Sequence, residues 1–366
     1  VVGAGPAGIA VASSLRDRGV NALVLEQGAG VGWSWRLRYD NLKLNTSKHS
    51  SHLPGLGYPR GTRTFPSRDE FVEHLENGAR GLDVRFNTAG ERLGRSPVGW
   101  RLTTSAGAVE ARNIVVATGY QRTPYRPKYQ GIQGFTGDLL HSSEFRNPSR
   151  FTGLRVLVVG CGSSGMEIAV SLANGGAAKV WISTRTPPNI LPRTGPAGVA
   201  GDTIARPLYH LPPRIADRIA HAVRLAAIGD LAAFGLPIPE EGPFARSLRL
   251  GVAPAIVDME VIDAIKAGRI EVVAAPALFD GDKVVLHDGT QVCPDAVICA
   301  TGYRPGLEAL VGHLGVLDDR GVPLACRGES AAEGLRFLGF LPRPSQIGYG
   351  CARARRVARE IAARLR

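Results

Sequence analysis

Two glycine-rich stretches constrain this chain more than anything else in it. "VVGAGPAG" runs from Val1 to Gly8, and "VVGCGSSG" from Val158 to Gly165. Each places three glycines in the order GxGxxG behind apolar residues, so that a strand runs through a tight turn into a helix. The first glycine supplies permissive dihedrals, the second lets the backbone approach a phosphate, and the third lets the helix pack against the strand. A helix N-terminus then offers N–H donors to a pyrophosphate. The grammar repeats further on. "IVVATGY", Ile114 to Tyr120, closes the first unit, and "AVICATGY", Ala296 to Tyr303, closes the second. An internal repeat of this length makes two nucleotide-binding units the simplest reading.

The strand after each fingerprint separates the two sites. In the first unit a helix is expected over about Ala7–Arg18, stopped by Gly19, and the next strand, "NALVLE", ends on Glu26 with Gln27 beside it. A carboxylate at that place takes ribose hydroxyls. Gly3, Gly5, Gly8, Glu26 and Gln27 therefore read as an FAD site, together with Thr118 and Gly119 of the closing strand. In the second unit the strand "AKVWIST" runs into Arg185, with no acid at its end. A hydroxyl from Ser183 or Thr184 and a guanidinium from Arg185 suit a 2'-phosphate. Gly160, Gly162, Ser163, Ser164, Gly165, Ser183 and Arg185, with Thr301 and Gly302, read as an NADPH site.

Between each fingerprint and its closing strand lies an alternating stretch that reads as a three-stranded meander. The segments are "DVRFNTAGERLG", "GWRLTTS" and "AVEARNIVVA" in the first half. In the second they are "RIEVVAAPALFDG", "DKVVLHDG" and "DAVICA". The fold class expected is α/β, a two-dinucleotide-binding-domain flavoprotein with tandem Rossmann-like units on the glutathione-reductase plan. Residues 1–125 and 290–366 would form a discontinuous FAD domain and residues 126–289 the NADPH domain. A helical insertion is expected near 200–240, where Ile215, Ile219, Val223 and Leu231 mark an apolar stripe and Arg214, Arg218 and Arg224 lie on the other faces; such a stripe can cap the active site, shape a substrate tunnel or touch a membrane surface, and packing against the same protein is its commoner use. A last helix is expected to start at Ser345 and to bury Val357, Ile361 and Leu365 along one side.

Charge and cysteines narrow the class. Lys and Arg number 44 against 32 Asp and Glu, for a formal charge of +12, but the arginines are scattered and form no nucleic-acid-binding module. The five cysteines are widely spaced with no CxxC, which argues against a disulfide framework, a metal site or a redox dithiol. No apolar run approaches the ~20 residues of a membrane span. No secretory leader is visible, so a cytoplasmic location is expected; a homodimer is compatible with the sequence. The chain opens on "VVGAG" with most of a first strand lacking, so further residues are expected to precede Val1.

Between the two units lies "FTGDLLHSSEF", where Phe135, Gly137, His141 and Phe145 form FxGxxxH followed by an aromatic. With this signature, both fingerprints and both ATG ends in order, the chain resembles the flavin-containing monooxygenases along nearly its whole length. "VVGCGSSGMEIA", "NILPR" and "APAIVDMEVIDAIKAGRIEVV" are similar to the plant YUCCA branch. "YDNLKLNTSKHSSHLP", Tyr39 to Pro54, is similar instead to mammalian-type and bacterial members, in which an asparagine meets the oxygen-reactive edge of the flavin; Asn45 falls on that position. In "GVGWSW" Gly32 is kept, Trp33 replaces a glycine, and Trp35 matches the family's tryptophan.

The resemblance implies an NADPH- and O2-dependent monooxygenase acting through a flavin C4a-(hydro)peroxide on a small organic substrate. It implies Asn45 as the catalytic residue, with Gly32, Trp35, His141 and Gln346 near the cofactors. The expected reaction is oxygenation at nitrogen or sulfur. A Baeyer–Villiger or YUCCA-like decarboxylating reaction on a carbonyl or 2-oxo acid is the alternative. A pyridine-nucleotide disulfide reductase would need paired redox cysteines. A non-enzymatic redox sensor would have no need of the intact signature.

Overall fold

The computed structural model describes residues 1–341 and 345–365. The chain divides into two compact units. The first comprises Val1–Leu37, Ser47–Thr123 and Tyr303–Arg366; the second comprises Arg38–Thr46 and Pro124–Gly302. The chain therefore passes between units near 123/124 and 302/303, and also at 37/38 and 46/47. The sequence reading has no counterpart to that last excursion, a strap of nine residues.

The first unit is built on a mostly parallel sheet. Strand Asp83–Arg85 pairs with Leu23–Leu25, Val2 bridges Leu25 and Val116, and Ile114–Val116 pairs with Leu335–Phe337. Strand Ser330–Ala332 adds an antiparallel edge. Ile9, Ala10, Val11 and Ala12 of the helix Pro6–Arg16 are fully buried, and this helix packs against the last helix, Gln346–Leu365. Val357 and Ile361 are buried as expected, while Leu365 is exposed at the helix end. The helix Arg68–Ala79 packs beside them and opens with a reciprocal Ser67–Glu70 capping box. A separate antiparallel meander comprises Gly90–Ser96, Gly99–Thr104 and Gly107–Ala111.

The second unit holds a five-stranded parallel sheet. Its order is Glu271–Ala274, Lys179–Thr184, Arg155–Val159, Ala296–Cys299, Asp138–His141. Leu157, Val158, Val297 and Ile298 are fully enclosed, as strands covered on both faces must be. The meander here comprises Pro276–Asp280, Lys283–Leu286 and Gln291–Val292.

Both meanders depart from the sequence reading in the same way. Residues 83–85 and 271–274, expected as the starts of long meander strands, belong to the parallel sheets instead. The closing strands 114–116 and 296–299 do likewise. In each unit a short break, residues 86–89 in the first and residue 275 in the second, separates the strand of the parallel sheet from the first strand of the meander.

The insertion contains helices Gly201–Leu208, Pro213–Ala227 and Pro243–Leu250, bracketed by a parallel pair, Ile190–Pro192 with Ala255–Val257. The middle helix departs from inward packing of its stripe at Ile215 and Ile219, while Val223 is half-buried and Leu231, beyond its end, is fully buried. Ala216, Ala220 and Arg224 point inward, whereas Ile215 is 48% and Ile219 37% exposed. Its two alanines pack with Leu208 and Phe244 and against Leu191 and Tyr209. Large neighbours fill the space that small inward residues leave, so volume complementarity overrides the larger hydrophobes of the outer face. Arg224 is carried inward with them, and Nε and both terminal nitrogens have no hydrogen-bond partner. Among the described residues no helix is long and apolar enough to cross a membrane.

Candidate active site

The two fingerprints adopt the same backbone for the same steric reasons. Gly3 and Gly160 have φ of +104° and +112°, a region that L side chains rarely enter. A Cβ on Gly8 would lie 1.9 Å from the carbonyl oxygen of Gly3, and one on Gly165 the same distance from that of Gly160. By contrast, a Cβ on Gly5 or Gly162 would meet nothing within 4 Å. Each unit thus leaves open space at its middle glycine, the N-cap of the helix that follows. That is a cradle into which a phosphate fits against unpartnered first-turn N–H groups.

The ATG ends complete this arrangement. Ala117 N–H donates to Val2 O and Ala300 N–H to Val159 O, each at 2.8 Å. The carbonyls of the same alanines stand where Cβ atoms of Gly3 and Gly160 would be, at 2.7 and 2.6 Å. Fingerprint and ATG end therefore recur together because each fits only the other. Gly119 and Gly302 then turn the chain at φ of +79° and +84°.

Alignment by hydrogen bonds also shows which residue of the second unit replaces the acid. Gly3 N–H donates to Leu25 O at 2.7 Å, and Gly160 N–H to Ser183 O at 3.1 Å. Ser183 is thus the counterpart of Leu25, Thr184 of Glu26, and Arg185 of Gln27. Glu26 is 7% exposed and accepts from the N–H groups of Ala4 and Gly28 at 2.8 and 2.9 Å. A carboxylate offers about four acceptor sites, so lone pairs remain for two ribose hydroxyls. Thr184 brings a hydroxyl to the corresponding place, donating to Thr186 O, and Arg185 is exposed next to it.

The remaining expected residues are placed as follows. In the first unit, Thr118 Oγ1 is buried without a hydrogen-bond partner, as suits a group waiting for a ligand. Gln27 accepts from Arg122 at 3.3 Å. Gly32 adopts φ +66°, and Trp35 packs edge-on against Phe71, while Trp33 lies where a side chain on Gly28 would be. Gln346 donates to Gly339 O at 3.1 Å. In the second unit, Ser163 Oγ accepts from Ile256 N–H at 2.9 Å, leaving its backbone N–H for the cradle. Ser183 is buried, and its hydroxyl has no partner. Thr301 donates to Tyr125 O.

The signature lies within the second unit, where its side chains make packing contacts and hydrogen bonds. Phe135 packs edge-on to Phe279, Phe145 stacks with Phe151, and a Cβ on Gly137 would strike Asp295 O at 2.5 Å. Residues 138–141 form the edge strand of the second unit's sheet. His141 is fully buried at its end; Nδ1 accepts from Ser143 N–H at 3.1 Å, which leaves the proton on Nε2, 3.0 Å from Gly302 O.

Asn45 lies on the strap, in the second unit. Its Oδ1 accepts from Arg193 at 3.1 Å. Arg193 is 2% exposed and also donates to Glu167 and, at 3.1 Å, to Asp258. The second oxygen of Glu167 accepts from the Tyr39 hydroxyl, which also meets Ser164. Burial pushes the Tyr39 hydroxyl well above its ordinary range, and the neighbouring Glu167 adds to this, so Tyr39 stays a donor. Burial likewise pushes the Glu167 carboxyl up, against the pull of Arg193 and the Tyr39 hydroxyl. Tyr39, Glu167, Arg193 and Asp258 were not singled out from sequence, although each falls in one of the stretches quoted above. The available signal was a lone arginine ending an apolar "NILP" run. Among the described residues no cluster of metal-ligating side chains occurs, and all five cysteines are free.

Comparison with known proteins shows what the chain is similar to in sequence and in fold. A family model described as pyridine nucleotide-disulphide oxidoreductase matches residues 1–229. The chain is 37% identical over 356 residues to the protein of Oryza sativa subsp. japonica named indole-3-pyruvate monooxygenase YUCCA1, covering 94% of this chain and 86% of that one. It is 33% identical over 366 residues to an Arabidopsis thaliana protein named probable indole-3-pyruvate monooxygenase YUCCA7, covering 94% and 83%. In fold it is similar to a flavin-containing monooxygenase from Stenotrophomonas maltophilia, with a TM-score of 0.76 at 23% identity over 100% of this chain and 98% of that one. A cyclohexanone monooxygenase gives 0.70 at 18% identity, over 99% and 86%.

Proposed function

The chain belongs to the flavin-containing monooxygenase family, the class B flavoprotein monooxygenases, and from that membership we propose that it oxidatively decarboxylates a 2-oxo acid at the expense of NADPH and O2. The observation that carries this reading is the 37% identity, over 94% of the chain, to a protein named for indole-3-pyruvate. The balanced reaction takes a 2-oxo acid, O2, NADPH and a proton to a carboxylic acid one carbon shorter, CO2, water and NADP+.

The residues present fit both cofactors. FAD would lie on the first cradle, with its diphosphate at Gly5 and its ribose on Glu26; NADPH would lie on the second, with Gly162 at its diphosphate and Arg185 at its 2'-phosphate. Bound flavin supplies hydride acceptance and oxygen activation, chemistry that no side chain here can perform. The chain's own work is to bind, orient and exclude water. The glycine turns hold anionic groups at helix N-termini. By the resemblance of its segment, Asn45 would offer a neutral donor to the oxygen chemistry of a bound flavin, which a carboxylate would oppose by its negative charge.

A second reading, oxygenation of a soft nitrogen or sulfur, is favoured by one feature: the "LNTSK" segment bearing Asn45 is of the mammalian and bacterial type. Both are tested by supplying NADPH and 18O2 with a 3-aryl-2-oxopropanoic acid, and separately with a thioether. Labelled arylacetic acid with CO2 is expected. Turnover of the thioether to sulfoxide, with the 2-oxo acid untouched, would reverse the order of the two readings.

A further inference from the structure

We propose that Arg193 is a positioning residue that fixes which end of the Asn45 amide faces outward. This rests on the reading of Asn45 just given. A guanidinium carries donors only, whereas a side-chain amide carries an acceptor at one end and a donor at the other. Beside Arg193 only Oδ1 of Asn45 can face inward, and it does so at 3.1 Å. The NH2 group is thereby directed to the opposite side, where Asn45 is exposed. Without such a partner the two orientations of an amide differ little in energy.

The surroundings of Arg193 are built to hold it still. One terminal nitrogen donates to Asp258 and the other to both Glu167 and Asn45. Glu167 is in turn bound by Tyr39, on the same strap as Asn45. A single ion pair therefore grips the strap at two points. The arrangement is not one that stability alone would select. Nε of Arg193 is buried without a partner, and well-packed apolar residues commonly serve a core at least as well as a buried ion pair. What the ion pair supplies, and an apolar core would not, is a fixed set of inward donors.

Three variants test this. Arg193→Gln offers both a donor and an acceptor, so the Asn45 amide is free to turn. It is expected to raise hydrogen peroxide released per NADPH by about tenfold, with flavin content unchanged. In 15N spectra the Asn45 side-chain NH2 pair, identified by its loss in Asn45→Leu, should shift or broaden. Arg193→Lys restores a donors-only partner and is expected to recover coupling and the sharp NH2 pair. Asn45→Asp leaves Arg193 untouched, keeps the acceptor facing it and deletes the outward donor. It is expected to melt at or above the parent temperature while releasing as much peroxide as Asn45→Leu. This variant keeps the proposal testable should Arg193→Gln fail to fold. A tightly coupled Arg193→Gln or Asn45→Asp, alongside an uncoupled Asn45→Leu, overturns the role of Arg193. A coupled Asn45→Leu removes the reading of Asn45 itself.

Discussion

Nε2 of His141 donates to the carbonyl oxygen of Gly302 across 3.0 Å and ties the signature strand to the second ATG end. Burial lowers the pKa of His141, chiefly by desolvating the charged ring, and a proton added at Nδ1 would confront Ser143 N–H. His74 in the first unit is arranged alike. Its Nε2 accepts from Leu53 N–H at 3.0 Å, its ring stacks on Tyr58 at 4.0 Å, and burial lowers its pKa from 6.5 to about 4.

Both histidines have folded pKa values below their unfolded values, so the unfolded chain binds more protons in the interval between. The contribution of His74 to stability is complete above pH 6.5 and is lost as pH falls toward about 4, and that of His141 is lost in the same direction. Melting temperatures measured from pH 7.5 to 4 should fall with acid, and His74→Gln, which retains an acceptor for Leu53, should flatten the curve. Superposable curves for parent and variant would dismiss His74 as a source of acid sensitivity.

The middle and third glycines of each fingerprint should separate binding from folding. Gly5→Ala adds a methyl to open space at φ −82°, an ordinary backbone angle for alanine. The apoprotein should melt within a few degrees of the parent, yet retain FAD at least about tenfold less well, since the methyl occupies the phosphate cradle. Gly8→Ala meets Gly3 O at 1.9 Å and should impair the fold itself, with or without cofactor. Full FAD retention by Gly5→Ala would move the diphosphate elsewhere.

Arg185→Ala should separate the two coenzymes. A charge-assisted phosphate contact of about 1.5–3 kcal/mol corresponds to a rise in KM for NADPH of roughly 10- to 100-fold, with little change for NADH. Equal losses on both coenzymes would show that Arg185 does not read the 2'-phosphate.

Arg224→Met should stabilise the protein. The arginine is 3% exposed, none of its three guanidinium nitrogens has a partner, and burial lowers its pKa. Methionine keeps the length and removes the unsatisfied donors, for a gain of about 1–3 kcal/mol in urea unfolding. A loss of stability would mean that the guanidinium is satisfied in solution by a group other than these side chains.

The glycine cradles were legible because their constraint is local: a handful of residues decide whether strand, turn and helix can follow one another. The signature at Phe135 to Phe145 was legible as a pattern, but not as the edge strand that it forms, because its pairing partner, Ala296–Cys299, is remote in sequence. The middle insertion helix was read in the wrong phase. Periodicity favours the side with isoleucines, while packing was decided by Phe244 and Leu208, which no window on that helix contains. The strap escaped notice for a related reason. Its allegiance rests on Tyr39 with Glu167 and Asn41 with Ser171, contacts that span well over a hundred residues.

The interleaving of the two units also sets an order of assembly on the ribosome. Every strand of the second unit's sheet has emerged by Cys299, and the strap made long before can settle once Glu167 and Arg193 are out. The first unit begins earlier and closes later. Its strand Ile114–Val116 waits for Leu335–Phe337, and its fingerprint helix waits for Gln346–Leu365. At about 5–20 residues per second that delay lasts tens of seconds. During it the apolar face of the helix Pro6–Arg16 lacks the cover of the last helix, so the unit that is begun first and closed last keeps apolar surface in water for longest.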